Sequence, residues 1–301
     1  MNGGSSVTQQ HNKMLTSTSG ILNQKQIYPL NLVSNTNLAG AWSNRKLIST
    51  YSGDANNVRR SSDNQTIDIG FLNNDYNTST LSSHVGGSSG FVTTWYDQSG
   101  NSRTLSQSTT SNQPRIVNVG TNDTINGKIC NFYNGTSTSL GTSNIITGIT
   151  TNNNLSIFLV FQKTAGGYTT VLDQGKTTAY YNFGIVSNYD NGLRFRNTNN
   201  DYTYGTNTNT LSDKLVISVI NIGANSECFR NGVSIGSTAN GTSSSAPVIG
   251  EQLTIGKRGG DTSEYLTGNI CEIMIFTRNL STTERQLIER NMGAYYGITV
   301  T

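Results

Sequence analysis

The chain has 301 residues, of which 12% are charged and 33% hydrophobic, with 32 glycines, 3 prolines and a formal net charge of +3. Average soluble chains carry about 25% charged residues, so this one is poor in charge and rich instead in Asn, Ser, Thr and Gly, while its 14 tyrosines set it apart from the usual disordered composition. No Lys/Arg run exceeds the pair Arg59-Arg60, which argues against a nucleic-acid partner, and no apolar run approaches the roughly 18–20 residues of a membrane helix, so no membrane insertion is expected.

Residues 1–38 form a polar, Ser/Thr/Asn/Gly-rich arm whose main apolar cluster is Ile27-Tyr28-Pro29-Leu30-Asn31-Leu32-Val33. Such a stretch buries little surface by itself, so it is expected to order against a partner, with Ile27, Tyr28, Leu30 and Leu32 as anchoring residues. Met1 to Gly20 lack the apolar core of a secretory signal, so synthesis in a host cytoplasm is expected.

From residue 39 to 301 short apolar runs punctuated by Gly, Asn and Ser predict an all-β sandwich. Phe91 to Tyr96 reads as a strand stopped by the turn Asp97-Gln98-Ser99-Gly100-Asn101. Leu155 to Phe161 is nearly continuous apolar sequence, as expected of a central strand covered on both faces, and Leu215 to Ile220 reads similarly. Arg230-Asn231-Gly232 joins two further strands, and Asn-Gly is a strong hairpin signal because both residues tolerate positive φ. Leu253 to Gly256 and Gly268 to Phe276 are the last strands; then Ser281-Thr282-Thr283-Glu284 matches a helix capping box. Leu287, Ile288, Met292 and Tyr295 give the helix that follows one apolar stripe.

Cys130, Cys228 and Cys271 make an odd count, and two of them lie in apolar alternating stretches, so buried free thiols are expected. His11 and His84 stand far apart with no accompanying metal-ligand spacing, so no metal site is expected. Gly86-Gly87-Ser88-Ser89-Gly90 lacks the Lys-Ser/Thr of a phosphate loop. A loop Ca²⁺ held by Asp261 and backbone carbonyls would rest on one acid in one loop, and no cofactor is expected.

The run Leu253-Thr254-Ile255-Gly256, Leu266 to Ile270, the strand to Phe276 and Leu280-Ser281 with Glu284 resembles the closing segment of the concanavalin A-like, laminin-G-type jelly roll. That resemblance implies a concanavalin A-like β-sandwich, to which the local reading adds the short C-terminal helix and the extended N-terminal arm. In the front half, Ala41-Trp42-Ser43, Tyr51-Ser52-Gly53, Val58 to Asp63, Trp95 to Gly100 and Asn112 to Val117 look like a module of bacteriophage virion proteins, similar also to the catalytic jelly roll of the arabinofuranosidase B family.

The second resemblance implies two carboxylates. The family's acid/base Asp lies in a Gly-Gly-Asp, matched by Gly259-Gly260-Asp261, whereas the strand that carries its nucleophilic Glu matches Leu193-Arg194-Phe195-Arg196-Asn197, where both acids become arginines. A guanidinium stays protonated and cannot attack an anomeric carbon. The expectation is therefore a non-enzymatic virion structural protein, of decoration or head-fibre or tail-fibre type, on the virion surface. Other capsid or tail proteins, further copies of itself and a host-surface glycan are its expected partners; Trp95, Tyr96, Asp97, Gln98 and Asp261 are the glycan-binding candidates. A virion-associated glycoside hydrolase of arabinofuranosidase type, with Asp261 catalytic, is the alternative.

Overall fold

The structure is a computed structural model and describes residues 27–147, 154–175, 181–187, 192–197, 200–204, 211–222, 225–239, 252–260 and 262–301. Two antiparallel layers make a sandwich. In one layer the strand Thr267–Phe276 lies between Leu38–Ser43 and Leu155–Lys163, and the sheet continues through Lys214–Ile222, Asn225–Arg230 and Val233–Ala239. The other runs in the order Thr66–Ile69, Asn56–Arg60, Gly90–Trp95, Leu105–Ser106, Leu140–Thr142, Leu253–Ile255, Thr169–Gly175, Tyr181–Ser187, Leu193–Asn197 and Asn200–Tyr204.

Side chains alternate across each strand, and the two faces of the central strand have different covers. Ile157, Leu159 and Phe161 point into the core between the layers with Val58, Trp95, Leu172 and Phe195. Phe158 and Val160 point the other way, into a second cluster with Val216, Met274, Ile288 and Met292. That second cover is the helix Thr282–Tyr296, so the strand is buried on both faces as its sequence predicts. The helix starts with the expected capping box between Ser281 and Glu284 and ends at Gly297, whose φ of 63° suits glycine. Its stripe closes on two tyrosines: Tyr295 packs half-buried against the helix-side cluster, and Tyr296, four residues after Met292, is buried within it.

Two expectations need correction. The anchoring cluster folds onto its own domain: Leu30 is fully buried in the helix-side core, Ile27 O accepts from Asn291 Nδ2, Tyr28 lies beside the Lys46 ammonium, and Leu32 is half-buried. The apolar face therefore has a cover within the chain, and among the described residues β structure begins at Leu38. Cys130 and Cys271 form a disulfide, because Asn131 pairs with Ile270 and the neighbouring positions bring the Cα atoms to 4.4 Å; only Cys228 is a free, buried thiol.

Candidate active site

Sheet register places polar residues in one row. Directly opposed residues in a β-ladder point to the same face, and Asn57, Thr94, Ser106, Gly141, Thr254, Asp173, Gly184 and Arg196 are opposed in succession across eight strands. Their neighbours Trp95, Leu105, Leu140, Ile255, Leu172, Ile185 and Phe195 belong to the core between the layers, so the polar row lies on the outer face.

Asp173 is covered on that face. Its relative exposure is 0%, although it stands on the side away from the core, because the loop after the Leu253–Ile255 strand folds over it and Gly259 N donates to Asp173 Oδ2 at 3.0 Å. A side chain at 259 would collide, since a Cβ there would lie 2.7 Å from Gly175 O, and one at 184 would lie 2.8 Å from Asp173 Oδ1. Asp173 Oδ1 has no hydrogen-bond partner. Burial pushes the Asp173 carboxyl up to about 7, and the nearby Glu264 adds to this; the Gly259 N–H and the Arg196 and Arg258 guanidiniums oppose it.

The same loop delivers a second carboxylate. Glu264 sits at φ 55°, a left-handed conformation uncommon for a residue with a side chain, and is held at both ends by Thr170: Thr170 N donates to Glu264 O at 2.8 Å and Thr170 Oγ1 to Glu264 Oε2 at 2.6 Å. Arg196 pairs with both carboxylate oxygens, Nη1 to Oε2 at 3.0 Å and Nη2 to Oε1 at 3.2 Å, and Arg258 Nη1 lies 3.4 Å from Oε1. Arg196 is 2% exposed and Glu264 14% exposed, so the anion keeps an opening to solvent. Tyr168 flanks the pair, its hydroxyl accepting from Arg196 Nη2 at 3.0 Å. Arg196 thus occupies the strand position where the resemblance asks for a nucleophilic Glu, and a carboxylate reaches that point from the loop instead. Sequence reasoning named neither Asp173 nor Glu264; the one local signal was a lone acid, Asp173, inside the run Val171 to Gln174.

The glycan-binding candidates around residue 97 do not form a sugar site. Trp95 is fully buried in the core and has no ring face to offer. Tyr96 OH donates to Asp68 Oδ1 at 2.6 Å, and burial together with that bond raises its ionisation well above the ordinary range. Asp97 Oδ1 accepts from Ala41 N at 3.0 Å and Ser99 N at 2.9 Å, while Oδ2 accepts from Ser99 Oγ at 2.8 Å and Arg103 N at 3.0 Å. Gln98 accepts from Leu47 N at 2.8 Å and donates to Ser43 O and Arg45 O at 3.1 and 2.9 Å. Asp97 and Gln98 tie the first strand to the turn after Trp95, and the polar groups of these residues are spent within the fold, on backbone groups and on the Asp68 and Ser99 side chains. Asp261 lies outside the described residues, next to Gly260 on the loop that Asp173 holds. Among the described residues no cluster of three His, Cys, Asp or Glu side chains could hold a metal ion.

The family model for the alpha-L-arabinofuranosidase B catalytic domain matches residues 30–192, and that for the concanavalin A-like lectin/glucanases superfamily matches residues 134–284. No curated protein matches the sequence. Among solved structures, an arabinofuranosidase complexed with arabinofuranosyl-α-1,2-xylobiose is similar at a TM-score of 0.72 and 17% identity, covering 89% of this chain and 65% of that one. A GH54 α-L-arabinofuranosidase soaked with 4-nitrophenyl α-L-arabinofuranoside is similar at a TM-score of 0.68 and 18% identity, covering 85% of this chain and 62% of that one. The chain thus spans 62–65% of the length of these structures, and at this identity they show the shared fold. The catalytic-domain match overturns the expectation of a non-enzymatic structural virion protein: that expectation rested on the missing strand carboxylate, and it overlooked an acid arriving from a distant loop. The chain belongs to the alpha-L-arabinofuranosidase B catalytic family and, through its back half, to the concanavalin A-like lectin/glucanases superfamily.

Proposed function

We propose that the protein is a glycoside hydrolase that releases arabinofuranosyl residues from a glycan. One observation carries this reading: Glu264 brings a carboxylate to Arg196, the strand position where the family resemblance requires one. Glycosidic cleavage needs an acid to protonate the leaving oxygen and a second carboxylate facing the anomeric carbon. In this proposal Asp261 is the acid and Glu264 the nucleophile.

Thr170 Oγ1, Arg196 Nη1 and Nη2, and Arg258 Nη1 make four contacts with the two oxygens of the Glu264 carboxylate. They fix its orientation, and in this proposal the sugar approaches over the part of the side chain that stays exposed. In the first step a Glu264 oxygen bonds to the anomeric carbon as the glycosidic C–O bond breaks, and the leaving oxygen takes the Asp261 proton. In the second, water attacks the same carbon, gives its proton to Asp261 and frees Glu264, so the anomeric configuration is retained. Asp173 is a positioning residue: its carboxyl is enclosed, and it holds Gly259 and hence the start of the loop that carries both acids.

The resemblance to virion proteins adds a setting to this proposal, a hydrolase carried on a phage particle, which mass spectrometry of purified particles tests. The chemistry is tested with para-nitrophenyl α-L-arabinofuranoside. Release of nitrophenol by the wild type, its loss in Glu264→Ala, and rescue of that variant by azide with an arabinofuranosyl azide of inverted configuration are expected. Wild-type activity retained in Glu264→Ala would remove Glu264 from the mechanism.

A further inference from the structure

The far end of the outer face, away from Glu264, carries a second group of acids. Asp68 is directly opposed to Asn57 and so extends the polar row by one strand. Eight strand steps of about 4.8 Å each then separate it from Arg196, roughly 38 Å along the sheet. Asp68 Oδ1 accepts from Tyr96 OH at 2.6 Å and from Asn57 Nδ2 at 2.9 Å, while Oδ2 accepts from no described residue. Asp54 lies against the backbone two positions further on, where a Cβ at Gly70 would stand 2.8 Å from Asp54 Oδ1. No described residue donates to the Asp54 carboxylate, and no described Lys, Arg or His pairs with Asp54 or Asp68. Burial and the Asp68 charge raise the Asp54 carboxyl above its ordinary value. Tyr51 and Phe71 stand beside these acids: their rings meet edge to face with centroids 6.3 Å apart, and Tyr51 OH donates to Asp54 O at 2.9 Å. Tyr76 is directly opposed to Phe71 and shares its face. The Tyr76 side chain is 4% exposed, its hydroxyl has no hydrogen-bond partner, and the Asp54 charge reaches it. A buried hydroxyl without a partner is uncommon.

We propose that Asp54 and Asp68 form a site for a primary alkylammonium group, with Tyr51 and Phe71 as its aromatic wall and the Tyr76 hydroxyl as a further acceptor. The site stands apart from the hydrolase acids and does not depend on their role. Its chemistry selects the ligand. A primary ammonium carries three N–H donors and no acceptor, and it meets here the open oxygens of Asp54, Asp68 Oδ2 and the Tyr76 hydroxyl. The carbon that bears the ammonium packs on the rings, whose faces attract positive charge. A quaternary ammonium has no N–H and would leave those oxygens unmatched. A calcium ion takes about 6–8 oxygen ligands; two carboxylates, one of whose oxygens already serves two donors, are too few, and the ring faces supply none. An anion would be repelled by both acids.

The test is a heteronuclear NMR titration of the isotope-labelled intact chain with two carriers of a primary ammonium, N-α-acetyl-lysine amide and glucosamine. N-acetylglucosamine, whose nitrogen is uncharged, is the control. Saturating shifts of the Gly70 and Phe71 amide signals in the millimolar range are expected with at least one amine and not with the control. Binding of the lysine derivative alone points to a lysine side chain as the source of the group, and binding of glucosamine to an amino sugar; each result supports the site. Asp54→Asn removes a charge and breaks no hydrogen bond, because its carboxylate accepts none from the described residues. It is expected to weaken amine binding at least fivefold without lowering the thermal midpoint, and Asp68→Asn is expected to do the same. Should Asp68→Asn fail to fold, Asp54→Asn carries the test. No saturating shift with either amine, equal binding of N-acetylglucosamine, binding undiminished in the folded variants, or a response to calcium chloride in place of the amines would overturn the proposal.

Discussion

Asp97, in the turn after Trp95, and Asp173, on the strand Thr169–Gly175, are both buried acids, and their partners give them opposite characters. Asp97 accepts four hydrogen bonds, three of them from backbone N–H groups of Ala41, Ser99 and Arg103. Removing it leaves those donors unpaired, at a cost of about 1–3 kcal/mol each when buried. Asp97→Ala is therefore expected to destabilise the fold by about 3 kcal/mol or more in urea denaturation; a loss under 1 kcal/mol would contradict the account. Asp173 accepts one backbone bond and is raised to about 7 mainly by burial. This lies above the roughly 3.9 of a free Asp, so between the two values the folded protein keeps a proton that the unfolded chain has released. Stability then falls as pH rises from 4 to 7 and levels off above, with a total of at most ~4 kcal/mol. Asp173→Asn cannot ionise and should lack this slope. Denaturation at pH 5 and pH 8 should show the wild type losing more than the variant, and parallel losses would refute the assignment.

Local elements were the most legible part of the sequence, and the functional residues the least. The capping box at Ser281 was readable because both partners lie within four residues, and Ser281→Ala is expected to cost about 1 kcal/mol, seen as a lower thermal midpoint. The Asn231-Gly232 hairpin was readable for the same reason, with φ of 50° and 88° at its two turn residues. The strand ending at Phe276 reads as apolar alternation, yet it contains the fully buried Glu272, whose partner Arg45 lies 227 positions away and binds it through Nε and Nη2 at 2.7 and 2.8 Å. Nothing local announces that pairing. Glu264 and Asp173 were missed on the same ground: their meaning depends on which strands lie side by side, and Thr254 opposite Asp173 is a fact of register. Trp95 misled in the other direction, since an aromatic beside an Asp can equally be a stacking platform or a core residue. Its alternation with Thr94 places it inside.

At the scale of the whole molecule, a long-range covalent link ties two neighbouring chain segments together on the helix side of the sandwich. Cys130 and Cys271 are separated by 141 positions, and a loop of that order removes about 4–5 kcal/mol of unfolded-state freedom in the chain-entropy treatment. Reduction under non-denaturing conditions should lower the thermal midpoint by several degrees, and an unchanged midpoint would mean that the bridge adds nothing to the fold. The helix Thr282–Tyr296 and residues 27–33 cover one side of the sandwich, while the polar row and its loop occupy the other. The helix side packs closed around the buried pairs Arg45–Glu272 and Arg285–Glu289, and the opposite side carries Arg196, Arg258 and Glu264.

The most direct test of the central claim is the anomeric configuration of the first product released from an aryl α-L-arabinofuranoside, followed by proton NMR before mutarotation. The account predicts release with retained α configuration by the wild type and no release by Glu264→Ala in the absence of azide. No release by the folded wild type, or an inverted product, would contradict it.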